Sequence, residues 1–234
     1  MPPPLFELDH VGLRLDDHDI LDDLSFAVPD DGITVLLGPS GSGKTTVLRL
    51  LNRLDVPTTG EVRFRRLPLD GLDPLVLRRR VGMVFQRPAL FPGSVRDNVL
   101  VARPGAGDDE LAGYLRAAGL DPGLMDRVAD NLSGGEAQRL CLARTLATDP
   151  EVLLMDEPTS SLDPEHRRRL EATAREMAAS GTRMGWVTHD LDQADRLADH
   201  RLVLVAGRLA SDAEMARYLA DGGTGIGPEG DPDG

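Results

Sequence analysis

The sequence has 234 residues, 41% of them hydrophobic and 28% charged, a balance that is typical of a soluble globular domain. The formal net charge of −13 argues against a nucleic-acid partner, because proteins that bind nucleic acid usually carry a basic surface. No apolar run approaches the roughly 20 residues that span a bilayer, and the proline-rich start does not resemble a signal peptide. We therefore expect a cytoplasmic protein.

The amino-terminal part of the chain predicts several strands and then a helix. Apolar residues occur at strand-like spacing in residues 6–11 and 24–28. Ile33–Leu37 is an apolar run typical of a strand that is buried on both faces, and residues 45–54 have helical spacing. A further short strand is expected at residues 62–64.

Four more apolar segments predict buried strands, and helical patterns lie between them. These segments are residues 81–85, 152–155, 185–188 and 202–205. Because strands that alternate with helices form parallel sheets covered on both faces, the pattern predicts an α/β fold with a mostly parallel sheet. Helical patterns also predict an inserted helical subdomain over about residues 94–140.

The segment Gly38–Thr45 follows a predicted strand and matches the pattern G-x-x-x-x-G-K-[ST] of a P-loop. Its glycines let backbone amides turn toward a phosphate, and the helix that follows adds the positive end of its dipole. Lys44 would reach the β- and γ-phosphates of a nucleotide, and the Thr45 hydroxyl would ligate Mg²⁺. The expected phosphate contacts are Gly38, Pro39, Ser40, Gly41, Ser42, Gly43, Lys44, Thr45 and Thr46.

Arginine fills every cationic position of the chain except one. Of the 26 lysine and arginine residues, only Lys44 is lysine, and it lies in the glycine-rich loop. A compact ammonium differs in shape from a planar guanidinium, so the exception indicates a site where arginine does not fit. The alternative is that the single lysine occurs at this position by chance, and its location in the glycine-rich loop argues against that.

The strand predicted at residues 152–155 ends in two carboxylates, Asp156 and Glu157. In open α/β sheets, ligands bind at the carboxyl ends of the strands. Asp156 suits the coordination shell of Mg²⁺, and Glu157 suits a general base that activates water. Alone, such a pattern is more often a strand that enters a polar turn, but here it follows a P-loop.

Ser133-Gly134-Gly135 precedes a helical segment and forms a second candidate anion site at a helix amino terminus. Ser133 followed by Glu136 also fits a capping box, and the two interpretations are compatible. The segment Leu132–Arg139 resembles the signature motif of the ABC ATPase family. One nucleotide does not need two such sites on one chain, and the family resolves this with a head-to-tail dimer.

The other motifs of that family follow in order along the chain. The resemblance implies that Gln86 contacts Mg²⁺ and links to the membrane partner, that His189 senses the γ-phosphate, and that Asp163 lies at the dimer interface. Leu15 stands where the family usually stacks an aromatic ring on adenine. The implied catalytic residues are Glu157, His189, Lys44 and Gln86; the implied metal ligands are Thr45, Gln86 and Asp156; the implied contacts beyond the P-loop are Leu15, Ser133, Gly134, Gly135 and Asp163.

The resemblance also implies cofactors, partners and domain organisation. ATP and Mg²⁺ are the expected cofactors, with Ser133 and Gly135 of one subunit closing over the γ-phosphate held by Lys44 of the other. Separate membrane subunits are implied, which would hold the protein at the inner face of the cell membrane. The ATPase domain, with an amino-terminal antiparallel β subdomain, would cover residues 1–221, and residues 222–234 are expected to be a disordered tail.

Two finer questions stay open at this point. Residues 75–100 resemble phosphate-importer ATPases and, equally, a related group implicated in metal or stress-related export. The main alternative function is a soluble ABC ATPase of DNA repair or translation, although such proteins usually carry two cassettes, coiled coils or zinc modules. A P-loop small-molecule kinase is the third possibility, but the signature motif has no role there.

Overall fold

A computed structural model describes residues 3–160 and 162–223, and the tail predicted at 222–234 falls mostly outside this range. The described strands are β1 (Phe6–Leu15), β2 (His18–Val28), β3 (Ile33–Leu37), β4 (Thr59–Phe64), β5 (Leu67–Pro68), β6 (Val81–Val84), β7 (Val152–Asp156), β8 (Arg183–Val187), β9 (His200–Val205) and β10 (Arg208–Leu209). The described α-helices are α1 (Lys44–Leu51), α2 (Pro74–Arg80), α3 (Val95–Ala102), α4 (Asp108–Ala117), α5 (Gly134–Leu146), α6 (Pro164–Ala179), α7 (Leu191–Leu197) and α8 (Asp212–Ala220).

The described residues divide into two compact units, and the first comprises residues 3–74 and 185–223. Its amino-terminal part is an antiparallel sheet with the strand order β2-β1-β4-β5. Phe6 pairs with Val28 on one side and with Phe64 on the other, and the rings of Phe6 and Phe64 are 5.0 Å apart. This contact places two of the few aromatic rings at the centre of the sheet.

The first unit also contains parallel strands. Every residue of β3 is buried, and β3 runs parallel to β9 with Leu36 opposite Leu202. A strand buried on both faces needs an apolar side chain at nearly every position, which explains the unbroken run Ile33–Leu37. The antiparallel sheet and the parallel pair confirm the predicted α/β class and its amino-terminal β subdomain.

The second unit covers residues 75–184 and combines parallel strands with most of the helices. Strands β6 and β7 are fully buried and run parallel, with Val81 opposite Val152 and Val84 opposite Met155. Helices α3 and α4 both pack on α5, and α5 also packs on β6. This helical region contains α3, α4 and α5, and α5 ends at Leu146.

The close approach of α5 to β6 depends on Gly82. A Cβ added at Gly82 would lie 2.6 Å from Cγ2 of Thr145 and 3.3 Å from Cβ of Pro150. We expect Gly82→Ala to lower the free energy of unfolding by about 1–3 kcal/mol, because crowding a packed interior forces its neighbours to move. Chemical denaturation measures this loss.

The matched variants for Gly82→Ala separate crowding from other causes. Adding Thr145→Ser removes the crowding methyl but keeps the hydroxyl that donates to the oxygen of Cys141, so this double variant should recover most of the stability. Gly113→Ala in α4 should be neutral or stabilising, since an added Cβ there meets nothing within 4 Å. Equal destabilisation with and without Thr145→Ser contradicts the crowding explanation.

Candidate nucleotide site

The glycine-rich loop connects buried β3 to α1, as predicted, although α1 begins at Lys44 and ends earlier than expected, at Leu51. The loop is fixed on the first unit by its own backbone. The N–H of Ser42 donates to the oxygen of Pro39 at 3.3 Å, and the oxygen of Ser42 accepts from the N–H of Gly207 at 3.1 Å. Ser40 and Gly41 at the loop tip are exposed, so this part of the backbone is accessible to a ligand.

Two glycines of the loop stand where no other residue fits. Gly38 has φ +146, and a Cβ there would lie 2.1 Å from the oxygen of Leu204. Gly43 has φ +99, and a Cβ there would lie 2.7 Å from Cδ2 of Leu21. Both angles are in the left-handed region that favours glycine, so the loop is fixed by conformation and by close packing together.

Lys44 lies inside the loop and is only 6% exposed. Its Nζ donates to the oxygen of Gly38 at 2.9 Å and to the oxygen of Pro39 at 2.8 Å. Two carbonyl oxygens thus hold the ammonium where the loop curls around it. A compact cation in this position concentrates positive charge at the loop.

The amino terminus of α1 favours an anion. Its N-cap, Gly43, provides no side-chain hydrogen bond, and the described first turn of the helix contains no acidic side chain. The first N–H groups of a helix have no partner within the helix, and they carry its positive partial charge. Thr45 is exposed in this turn and Thr46 is partly exposed, so both hydroxyls can contact a bound phosphate or its metal ion.

The first unit brings His189 to the same sheet edge as the loop. The N–H of Thr188 donates to the oxygen of Leu36 at 3.4 Å, and these two residues precede His189 and the loop respectively. The imidazole of His189 is exposed, and the following residue, Asp190, caps α7. Leu15, the last residue of β1, is 52% exposed and offers an apolar surface without a ring.

The second unit holds the two carboxylates at the end of β7. Asp156 is 3% exposed, and Glu157 adopts φ +43, which is uncommon for a residue other than glycine. Such conformations cost free energy and cluster at functional sites. The β6–β7 register brings Gln86 to the same edge, where its Nε2 donates to Oε2 of Glu157 at 3.3 Å.

The second unit also contains the serine–glycine turn. Ser133 caps α5 through a full capping box: its Oγ accepts from the N–H of Glu136 at 3.3 Å, and Oε2 of Glu136 accepts from the N–H of Ser133 at 2.7 Å. The hydrogen bond from that backbone N–H lowers the pKa of Glu136. Ser133 and Gly134 are exposed, so the turn is open to a ligand from outside the chain.

Asp163 serves as the N-cap of α6. Its Oδ1 accepts from the N–H groups of Glu165 and His166 at 3.0 Å each, and its Oδ2 lies 2.5 Å from Nδ1 of His166. The hydrogen bond from the backbone N–H of His166 contributes most to lowering the pKa of Asp163. Asp163 is exposed even though it caps α6, so its carboxylate can also contact a partner.

Three polar residues that hold the loop after β6 were not predicted from the sequence. Gln138, Arg144 and Asn98 all form hydrogen bonds with backbone atoms of the loop that follows β6. Gln138 and Arg144 lie 53 and 55 residues from the loop residues that they contact, whereas Asn98 lies seven residues from Phe91. No local pattern could have indicated Gln138 and Arg144, because their role arises from the packing of α5.

The donor types at these positions fit magnesium and a triphosphate. In the described part of the chain, no cluster of three or more histidine, cysteine or acidic side chains could hold a metal ion by itself. Mg²⁺ usually takes one or two protein ligands and completes its shell with phosphate oxygens and water. A carboxylate at Asp156, a hydroxyl at Thr45 and an amide oxygen at Gln86 are suitable oxygen ligands for this ion.

Comparison with known sequences places the chain in a family. The family model described as "ABC transporter" matches residues 21–160, well over half of the chain. Protein STAR1 of Oryza sativa subsp. japonica is 46% identical over 196 residues, which cover 82% of this chain and 57% of that protein. Phosphate import ATP-binding protein PstB 3 of Natronomonas pharaonis is 40% identical over 215 residues, covering 86% of this chain and 78% of that protein. A PstB 2 protein of Mycobacterium tuberculosis is 42% identical, with coverages of 86% and 83%.

Solved structures with similar folds include three ABC proteins. A bacterial Atm1-family ABC exporter with ATP bound has a TM-score of 0.85 and 31% identity, covering 94% of this chain and 42% of that chain. CbiO1 from Clostridium perfringens, part of the cbiONQ transporter complex, has a TM-score of 0.79 and 25% identity, with coverages of 94% and 92%. The ATP-binding cassette MJ0796, a dimer bound to ADP and Pi, has a TM-score of 0.79 and 27% identity, with coverages of 88% and 97%.

The fold and the loop around Lys44 define a P-loop nucleotide-binding protein. The family match and the relatives then make the assignment specific: the chain belongs to the ABC transporter family and is an ATPase subunit of that family. None of the helices in the described residues is both long enough and apolar enough to cross a membrane.

Proposed function

We propose that this chain binds and hydrolyses ATP as one half of a head-to-tail dimer that drives a membrane transporter. The observation that carries the proposal is the exposure of two helix amino termini suited to an anion, one after the loop around Lys44 and one at Ser133. The helix turn at Ser133 is exposed and is not part of the P-loop. A second copy of the chain, rotated by two-fold symmetry, would use each turn to close a nucleotide bound by the other copy.

Each functional residue has a role in this proposal. Lys44 and the loop amides would bind the β- and γ-phosphates. Thr45, Asp156 and Gln86 would hold Mg²⁺, which would supply positive charge while water displaces ADP from the γ-phosphorus. Glu157 accepts a proton from the attacking water. His189 contacts the γ-phosphate, Leu15 covers one face of the base, and Asp163 lies at the dimer interface. The remaining contacts are Gly38, Pro39, Ser40, Gly41, Ser42, Gly43, Thr46, Ser133, Gly134 and Gly135.

The partners follow from the named relatives. One similar structure is part of the transporter complex cbiONQ, and several similar sequences are named phosphate import proteins. We therefore propose separate membrane subunits that hold this chain at the inner face of the membrane, with phosphate as the first cargo to test. The formal net charge of −13 supports a function without nucleic acid.

Mixing two inactive variants tests the head-to-tail arrangement. Lys44→Ala removes the phosphate ligand, and Ser133→Asp adds a negative charge that repels the γ-phosphate while aspartate still caps α5. Random pairing puts both variants into about half of the dimers, and each mixed dimer contains one intact site. We expect the mixture to release phosphate from ATP faster than either variant alone.

The same assay distinguishes a site completed within one chain. In that case each variant carries its own defect into every dimer, and the mixture gives only the average of the two separate rates. An average rate would therefore contradict the head-to-tail proposal. Wild-type protein measured in parallel, with its membrane subunits and cargo supplied, shows whether the chain hydrolyses ATP at all.

A further inference from the structure

Gln138 is a buried polar residue whose contacts do not serve stability well. It lies in the second turn of α5 and is 2% exposed. Its Nε2 donates to the main-chain oxygen of Phe85 at 2.8 Å, while its Oε1 is buried and has no hydrogen-bond partner among the described residues. A buried acceptor without a partner carries a desolvation cost, which offsets part of the stability that the hydrogen bond to Phe85 contributes. The amide donor therefore has another role, which is to hold Phe85.

Other contacts fix the far end of the same loop, residues 85–91. Nη2 of Arg144 donates to the oxygen of Ala89 at 2.8 Å, and the guanidinium lies 4.5 Å from the ring centre of Phe91. Asn98, which is fully buried, accepts from the N–H of Phe91 at 2.8 Å and donates to its oxygen at 2.9 Å. The loop is thus attached at both ends to α5, and its far end also to α3.

The hydrogen bond to Phe85 controls the position of Gln86. The oxygen of Phe85 and the nitrogen of Gln86 belong to one planar peptide group, so fixing that oxygen also fixes the plane that carries Gln86. The exposed side chain of Gln86 then donates to Oε2 of Glu157 at 3.3 Å. A continuous path of covalent and hydrogen bonds therefore runs from α5 to the proposed base, within the second unit.

We infer that Gln138 is a positioning residue for ATP hydrolysis, because it orients the Phe85–Gln86 peptide and thereby holds Gln86 on Glu157. This inference rests on the proposed function, since it takes Glu157 as the general base. Helix α5 begins at the turn capped by Ser133. The same helix therefore connects the turn that would close over a partner's nucleotide with the residue that activates water.

Gln138→Met tests the inference, because methionine keeps the side-chain length and removes both polar atoms. We expect kcat for ATP hydrolysis to fall about tenfold, since a small misplacement of a catalytic group is costly, while KM for ATP stays within about twofold. The thermal unfolding midpoint should stay close to the wild-type value. Thr148→Val is the matched control: it removes one side-chain hydrogen bond to a main-chain oxygen, that of Thr145, at the other end of α5. Its kcat should remain within about twofold of wild type.

A double-mutant cycle with Gln86→Ala shows whether Gln138 acts through Gln86. In the Gln86→Ala protein, adding Gln138→Met should change kcat by less than about twofold, because the connection is already broken. A full tenfold loss in the Gln86→Ala background overturns the inference. So does Gln138→Met alone if it keeps the wild-type kcat, or if its unfolding midpoint falls strongly.

The experiment also separates the inference from the proposed function. If the wild-type protein does not hydrolyse ATP, the proposed function and the inference both fail. If the wild type and Gln138→Met are equally active, only the inference fails.

Discussion

Glu157→Gln should bind ATP with nearly wild-type affinity and hydrolyse it at least about 100-fold more slowly. An amide cannot take a proton from the attacking water, yet it has the size of the carboxylate. The φ of +43 at this position is as accessible to glutamine as to glutamate, so the backbone conformation should persist. The rate of phosphate release at saturating ATP, together with equilibrium binding, measures the two effects separately.

The same variant should accumulate as an ATP-bound dimer, which size-exclusion chromatography detects. Because the dimer is proposed to close over ATP and to open after hydrolysis, blocking the chemical step leaves it closed. Glu151→Gln is a matched control: this carboxylate pairs with Arg80 at 2.6 Å just before β7, and its loss should leave the hydrolysis rate nearly unchanged. Rapid hydrolysis by Glu157→Gln would show that another group activates the water.

The sequence predicted the parts of the site that depend on local pattern. The sequence pattern predicted a buried strand, a glycine-rich loop that contains the lone lysine, and then a helix. The structure has these elements in this order, with the loop at Gly38–Thr45 joining β3 to α1. The apolar run before Asp156 and Glu157 likewise predicted a buried strand that ends in two carboxylates. Ser133 forms the full capping box that its spacing from Glu136 indicated.

The parts that depend on tertiary packing were not predictable. Gln138 and Phe85 are 53 residues apart, and only the packing of α5 beside β6 brings them together. The left-handed backbone at Glu157 was also unforeseen, because glutamate has no intrinsic preference for that region.

Lys44→Arg should weaken ATP binding by at least about tenfold, although the charge is retained. The ammonium is 6% exposed and lies between the oxygens of Gly38 and Pro39. A guanidinium is wider than an ammonium and is planar. At position 44 it would have to displace the loop or point out of it. The loop has little room to move, because a Cβ added at Gly38 would lie only 2.1 Å from the oxygen of Leu204.

The opposite substitution, Arg49→Lys, is the control that shows whether the effect of Lys44→Arg is specific to the loop. Arg49 lies in the same helix and contacts Asp55 through Nε at 2.7 Å and Nη2 at 2.9 Å, a two-pronged geometry that lysine cannot reproduce. Arg49→Lys should therefore reduce stability slightly and leave ATP affinity unchanged, whereas Lys44→Arg should weaken ATP binding by at least about tenfold. Isothermal titration with ATP and thermal unfolding measure both quantities in both variants. Wild-type ATP affinity in Lys44→Arg would mean that charge alone selects the residue, and the single lysine among 26 basic residues would then have no physical explanation in the shape of the loop.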